Sequence, residues 1–482
     1  MDTRTGHHAT GEALRHRIIE NKINIVLFDN CVVVTMDPRR RILRNGAIAV
    51  VGSTIAAVGD RSTVRAQYPD EPVKDLKGWL VMPGLVDGHV HLPQALLRGA
   101  ADELPLHQWM SSRIFVLEGV FTPDDAKVAA RLAIVEMLKA GTTTFLETLV
   151  LGRHALGELA EAIAETGIRA VLPRAVGDGG GYLDEAPLNE GLREPPDVAM
   201  QDAVSVAEHW KDSEQIKIWL GPRSTGGCPE PLLREVVQTA RGNGLGIAHH
   251  YAMTDREVAY LRRNFQATPG EYLQRVGLLG PDVVLAHCSG LPPEEIPYLA
   301  GTGTSVVTCP TGPAKMGSGV TPVRELLDAG VNVALGTDAN AANNGADLFR
   351  DFKWVAYLQK LRHHDPTVVP AEAVLEMATI GGARALSMDH LIGSIEVGKR
   401  ADFLVIRTDG PHWTPAEYPV SNLVYSASGA DVDTVVIDGK IVMEGRELLH
   451  IDEEQVLRDA ARDSRSLYER TGLEVRSLWP ME

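Results

Sequence analysis

The sequence predicts a (β/α)8 (TIM) barrel, an α/β fold, carrying a small β-sandwich domain built from both chain ends. Three features predict it: β-branched strand runs at the two ends, an alternation of strand-like and helix-like segments between them, and polar residues where apolar runs stop. The 482 residues, 44% hydrophobic and 23% charged, are ordinary globular composition and allow a large core.

After a polar leader over residues 1–22, "INIVLFDNCVVVTMD" and "GAIAVVGSTIAAVGD" read as strands separated by turn residues. The pattern changes at "GWLVMPGLVDGHVHL". From there, strand-like runs such as "GTTTFLETLV", "GIRAVLPRAV", "IKIWLGPRS", "GLGIAHHY", "VVLAHCSG", "GTSVVTCP" and "VNVALGTDAN" alternate with segments of helical spacing. "PDDAKVAARLAIVEMLKAG" and "PEPLLREVVQTARGNG" are such segments, each with Gly near its C-terminal cap. About eight strands favour a closed barrel over an open sheet. All-β grammar returns in "GSIEVGKRADFLVIRTD" and "VDTVVIDGKIVMEGREL". The expected division is residues 23–82 with 392–448 for the sandwich, 83–391 for the barrel, and 449–482 for a helical tail with a solvent-facing helix.

A formal net charge of −17 argues against a nucleic-acid polymer, because phosphate binding needs clustered Lys and Arg. The leader has no apolar signal-peptide core and no run of about 18 apolar residues occurs, so no membrane span is expected. Cys31, Cys228, Cys288 and Cys309 lie far apart without a CxxC pattern, which suits a reducing compartment and a cytoplasmic protein.

In a parallel barrel, chemistry sits at the C-terminal strand ends. Four ends carry polar residues: His89 with His91, the His249-His250 pair, His287, and Asp338. His89 and His91 share one face of a strand, since side chains alternate with period two. Imidazoles and a carboxylate suit a borderline divalent ion such as Zn, or alternatively Fe, with one position left for water. His107, His154, His209, His363, His364 and His412 stop no strand run in this way and read as ordinary core or surface residues.

The segments "PGLVDGHVHLPQALLRGAADELPLHQWM", "AGTTTFLE", "LAHCSG", "VNVALGTDANAANNGADLFRD" and "GSIEVGKRADFLVI" together resemble the amidohydrolase superfamily. They are most similar to its mononuclear deaminases and chlorohydrolases, which include guanine deaminase, adenosylhomocysteine deaminase and triazine hydrolases. The resemblance runs from about residue 24 to 445 and implies the barrel and split sandwich. It also implies that His89, His91, His250 and Asp338 are ligands to one metal ion, with His250 rather than His249 on the metal. His287 resembles the residue that hydrogen-bonds the attacking water or the developing oxyanion. Asp338 doubles as the base for a water whose pKa the cation lowers. Lys217 stands two residues before the apolar stop of its strand, unlike the lysine of binuclear members. Enzymes of this kind are commonly dimers or larger, so a homodimer or higher homo-oligomer is expected.

One departure matters. Relatives that act on aromatic rings carry a glutamate three residues after the strand-five histidine, where it protonates a ring nitrogen. Here that position is Met253, and a thioether cannot donate a proton. Asp255, Glu257, Glu147, Asp102 and Glu103 are the other acids near the strand ends. Gln94, Arg98 and Trp109, in the loop after the first barrel strand, suit a planar polar heterocycle. Gln94 matches the Gln that follows HxP in the guanine deaminases. Asn340, Asn343 and Asn344 follow Asp338 and either line the pocket or turn the chain.

The leading expectation is a metal-dependent hydrolase that removes an amino or other leaving group from a small purine, pyrimidine or s-triazine. The second is an amide, carbamate or urea hydrolase in the same scaffold, favoured by the lost glutamate. A non-catalytic scaffolding barrel would have no chemical need for the whole ligand set.

Overall fold

The computed structural model describes residues 25–178, 180, 183, 187–475 and 479; the expected leader lies outside them. The chain begins with strands β1 (Ile25–Val34), β2 (Ile42–Val51), β3 (Thr54–Asp60), β4 (Val73–Asp75) and β5 (Leu80–Pro83). Nine parallel strands follow: β6 (Leu85–His91), β7 (Thr142–Glu147), β8 (Arg169–Val176), β9 (Ile216–Pro222), β10 (Ile247–Tyr251), β11 (Val283–His287), β12 (Ser305–Thr308), β13 (Asn332–Leu335) and β14 (Asp338–Ala339). The chain then returns in β15 (Phe403–Ile406), β16 (Val432–Ile437), β17 (Lys440–Glu444) and β18 (Glu447–Leu448).

The two chain ends form one sheet, β18-β17-β16-β15-β5-β1-β2-β3, with β4 beside β1. Its junction is the antiparallel pair β5–β15, where Met82 lies opposite Leu404. Phe28, Val33, Ile48, Val81, Phe403 and Val436 alternate onto one face and bury a core of their own.

The parallel sheet runs β13-β12-β11-β10-β9-β8-β7-β6-β14 and closes on itself through a divided last strand. β13 pairs with β12, and after Gly336 and Thr337 the chain resumes as β14, which pairs with β6, Asp338 opposite Val90. Gly336 is required there, because a Cβ would lie 2.8 Å from the Cβ of His89. Period-two alternation then sorts the side chains. Val86, Leu146, Val171, Trp219, Ala248, Val284, Val307 and Ala334 form one cluster, a single residue from each of β6 to β13, and fill the barrel. Their neighbours, among them Leu85, Phe145, Leu172, Leu220, Ile247 and Leu285, pack against the surrounding helices.

The helix Pro123–Lys139 starts where Thr122 and Asp125 cap each other's backbone N–H and Pro123 fills the first turn. The C-terminal helix Glu453–Thr471 presents charge to solvent on one side only. Val456, Ala460 and Leu467 are buried on the other, and Lys139–Glu453 and Arg470–Asp125 ion pairs tie the helix to Pro123–Lys139. Below the barrel, Arg169 at the start of β8 pairs with Asp402 at 3.2 Å, both side chains buried, and links barrel to sandwich.

Candidate active site

The histidine and aspartate strand ends converge. His91 Nε2 lies 3.2 Å from His250 Nε2 and 3.7 Å from Asp338 Oδ1, while His89 Nε2 lies 3.4 Å from the same oxygen. The ligand atoms of His89, His91 and His250, and those of His89, His287 and Asp338, each fall within 4.8 Å of one another. Alternation along β10 decides between the two adjacent histidines. His250 points inward with Ala248, whereas His249 points out and its Nδ1 donates to the Pro222 carbonyl at 2.8 Å.

The donor set fits a divalent cation. His89 Nδ1 lies 2.7 Å from Thr148 Oγ1, a contact that orients the ring, and the buried Nε2 that faces Asp338 has no hydrogen-bond partner. A cation between that nitrogen and the carboxylate would be held by both. Burial, reinforced by the charge of His89, pushes the His91 imidazole down to about 3. Burial likewise lowers His287 to about 4, and holds His250 well below the ordinary histidine value. Burial works to raise the Asp338 carboxyl, but contact with His89 and the charges of His287, His89 and His91 outweigh it and hold the group below the usual carboxylate range. Neutral imidazoles at His91, His250 and His287 and an ionised carboxylate at Asp338 are the forms that metal binding requires.

The backbone is held in uncommon conformations at these ends: φ is +70° at His287 and +66° at Asp338. Such residues cost about 1–3 kcal/mol each and persist where surrounding contacts over-determine them. Asp87 supplies some of those contacts, accepting from Thr337 N, Thr337 Oγ1 and His89 N. Asp351 supplies others, accepting from Thr311 Oγ1 and Asn343 Nδ2.

A cleft opens over the cluster, and His91, His250, His287 and Asp338 line it. Gln94, Trp109 and Met253 line it as well. Gln94 Nε2 donates to Glu118 Oε1 at 2.9 Å, and the Trp109 indole donates to the Ala341 carbonyl at 3.3 Å. Two other sequence candidates are absent from its walls. Arg98 is held by Glu136 and the Asn344 carbonyl, and Asn340 donates to Glu136, so both brace the loops behind the site. Asn343 donates to the Thr337 carbonyl and Asn344 takes a left-handed turn at φ +63°, which gives both a turn-making role. Asp102 is exposed and paired with Lys315. Glu257 is buried below the cleft, accepting from Met253 N and Thr225 Oγ1. Lys217 lies two residues below Trp219 on the barrel's inner side, at the end away from the histidines.

Three charged or ionisable side chains complete the wall: Glu147, Glu118 and Arg223. Burial pushes Glu147 up to about 8 and Glu118 up to about 7, in the latter case against the hydrogen bond of Gln94 and the charge of Arg223. Glu118 ends the four-residue helix Phe115–Glu118, which carries no periodic signal in the sequence. Arg223 directly follows β9, so the rule that singles out His287 and Asp338 also points to it.

A family profile described as "Amidohydrolase family" matches residues 80–442, and one described as "Imidazolonepropionase-like composite domain, bacteria" matches residues 46–70. The chain is 37% identical over 426 residues to a 5-methylthioadenosine/S-adenosylhomocysteine deaminase of Desulforudis audaxviator, covering 88% of this chain and 95% of that protein. It is 39% identical over 415 residues to a 5'-deoxyadenosine deaminase of Methanothermobacter thermautotrophicus, covering 86% and 93%. Among solved structures, an adenosine deaminase from Xanthomonas campestris with bound zinc superposes with a TM-score of 0.85 at 31% identity, covering 93% of this chain and 98% of that one. The zinc complex of an atrazine chlorohydrolase from Arthrobacter aurescens gives 0.82 at 26%, covering 91% and 100%. With its barrel, its inward His and Asp cluster and this profile match, the chain belongs to the amidohydrolase family and is a hydrolase of carbon–nitrogen bonds.

Proposed function

We propose that the protein is a mononuclear metal-dependent hydrolase that removes an amino or comparable leaving group from a small purine, pyrimidine or s-triazine ring. The observation that carries this reading is the cluster of imidazoles and one carboxylate at the floor of a cleft lined by Gln94 and Trp109. His89, His91, His250 and Asp338 would hold one divalent ion, zinc in preference to iron; the zinc in two structural neighbours supports that choice. Bound there, such an ion lowers the pKa of water toward neutrality. Asp338 accepts the proton released as water attacks the ring carbon, and His287 hydrogen-bonds the attacking oxygen. Trp109 offers an aromatic wall on which a planar ring stacks.

Met253 lines the cleft and carries no proton, which is the one observation behind an amide, carbamate or urea substrate. The relatives weigh against it, since their names are those of deaminases and chlorohydrolases. We also infer a cytoplasmic homo-oligomer. Its four cysteines are free and buried, and Trp354, Tyr357 and Leu361 stand exposed along one side of the helix Leu348–His363. Among the described residues no helix is long and apolar enough to cross a membrane.

Metal analysis of the purified protein, paired with an ammonia-release screen over aminopurines, aminopyrimidines and aminotriazines, tests the reading. The expected result is one zinc per chain and ammonia from at least one ring class. Metal-free activity, or a zinc-replete protein that hydrolyses amides or ureas and no ring, overturns it.

A further inference from the structure

We propose that residues 312–320 form a lid over the cleft and that Lys315, held by Asp102 and Asn344, is the latch that keeps it shut. The inference rests on the cleft being the active site and is independent of which ring or amide enters it.

The strap between β12 and the helix Val323–Asp328 is fastened at both ends and spans the site between them. Thr311 Oγ1 donates to Asp351 Oδ1 at 2.5 Å, and Thr321 Oγ1 donates to the His287 carbonyl at 2.7 Å. Between these anchors Gly312, Pro313, Met316 and Ser318 line the cleft. Gly312 passes so close to Asp338 that a Cβ there would lie 2.8 Å from Oδ2. Asp338 is 8% exposed and His287 2%, so little of either group meets solvent while the strap lies as it does. Gly317 and Gly319, at φ +63° and +129°, follow Lys315 within four residues, and a few such loop positions absorb the rotation of a lid.

The latch joins three strand-end loops. Lys315 Nζ donates to Asp102 Oδ1, in the loop after β6, and to Asn344 Oδ1, in the loop after β14; Asn344 Nδ2 donates in turn to Asp102 Oδ2 at 3.3 Å. The loop after β6 is the opposite jaw, because it carries Gln94, Trp109 and Glu118 into the same cleft. Met316 packs with Trp109 and Met253 in one apolar cluster, so burial seats the lid tip as well. The Lys315 and Asp102 side chains are 26% and 39% exposed. An ion pair so placed is individually weak and screened by salt, which suits a contact that opens and reforms. The pair Arg169–Asp402, with both side chains buried between barrel and sandwich, is the contrasting permanent tie.

The test is hydrogen exchange of the full-length protein, read in peptides covering residues 309–320 and 100–106. It is joined to the rate at which dipicolinate, a planar chelator of heterocycle size, strips zinc from the loaded protein. Lys315→Met should speed exchange in both peptides by at least about fivefold, and zinc loss by a similar factor. Asp102→Asn should act in the same direction, and the charge-reversed pair of Asp102→Lys with Lys315→Asp should restore most of both. Raising salt from about 0.05 to about 0.5 M should speed exchange in the wild type and leave Lys315→Met unchanged. Exchange that Lys315→Met does not alter, or that the charge-reversed pair does not restore, overturns the latch. Faster exchange with unchanged zinc loss overturns the lid. Because exchange is also read on metal-free protein, the latch stands or falls separately from the hydrolytic reading.

Discussion

His91 and His250 bring their Nε2 atoms to 3.2 Å from strands on different sides of the barrel mouth, within hydrogen-bond distance of one another and placed so that one cation could be held by both. The first prediction follows from that pair. His250→Ala should abolish stoichiometric metal and ring hydrolysis while the circular dichroism spectrum stays that of a folded barrel, because the side chain contributes to the cluster and not to the core that fills the barrel. A variant that keeps one metal per chain would remove His250 from the ligand set.

Thr148 holds the His89 ring through the 2.7 Å contact at Nδ1. Thr148→Val removes that hydroxyl with little change in volume, and metal affinity should fall by about 10- to 100-fold. Competition with a chelator of known affinity measures the loss. Unchanged affinity would show that packing alone orients the ring.

Glu118 makes stability depend on pH in an unusual direction. Burial raises its carboxyl to about 7, above the unfolded value near 4.5, so between those limits the folded state holds a proton that the unfolded state has lost. Its contribution is therefore present below the unfolded value and is lost as pH rises, with a slope of at most about 1.4 kcal/mol per unit until the folded value is passed. Glu118→Gln removes that dependence. In urea titrations of the two proteins, the stability of the variant relative to wild type should increase from pH 5 to pH 7 and level off above it. A constant difference would mean that the carboxyl is hydrated and ordinary.

Met253 sits on the cleft wall, its backbone N–H held by Glu257. Met253→Glu places a carboxyl there, and ammonia release from an aminated ring should rise by about tenfold or more as ring protonation becomes available. No gain on any ring would show that ring protonation at this position does not limit the reaction.

Much of this was legible before any coordinates. The strands of both sheets announce themselves through Val, Ile and apolar runs bounded by Gly and Pro, and His89, His91, His287 and Asp338 stand out because a polar side chain ends each run. Local pattern failed where position depends on distant partners. Arg98 and Asn340 flank the metal motifs in sequence, yet Glu136, on the helix Pro123–Lys139, draws both away from the cleft. Glu118 ends a one-turn helix whose position is set by packing of the following Gly119 on Asn189 and Gly191, so nothing in its own neighbours places it. The division of the last strand was equally hidden, since it requires knowing that β12 and β6 compete for the same short segment.

That division gives the barrel a clasp. Asp87 and Thr337, 250 residues apart, are hydrogen-bonded where the first strand meets the last, and β14 joins β6 through Asp338 and Ala339 alone. A cation held by His89, His91 and Asp338 would fasten that same seam, acting as a reversible cross-link around most of the chain. Closing so long a loop is entropically expensive for an unfolded polypeptide, and a link that exists only in the folded state shifts the balance by the full free energy of its binding. Loading the site and shutting the barrel are then linked, each favouring the other.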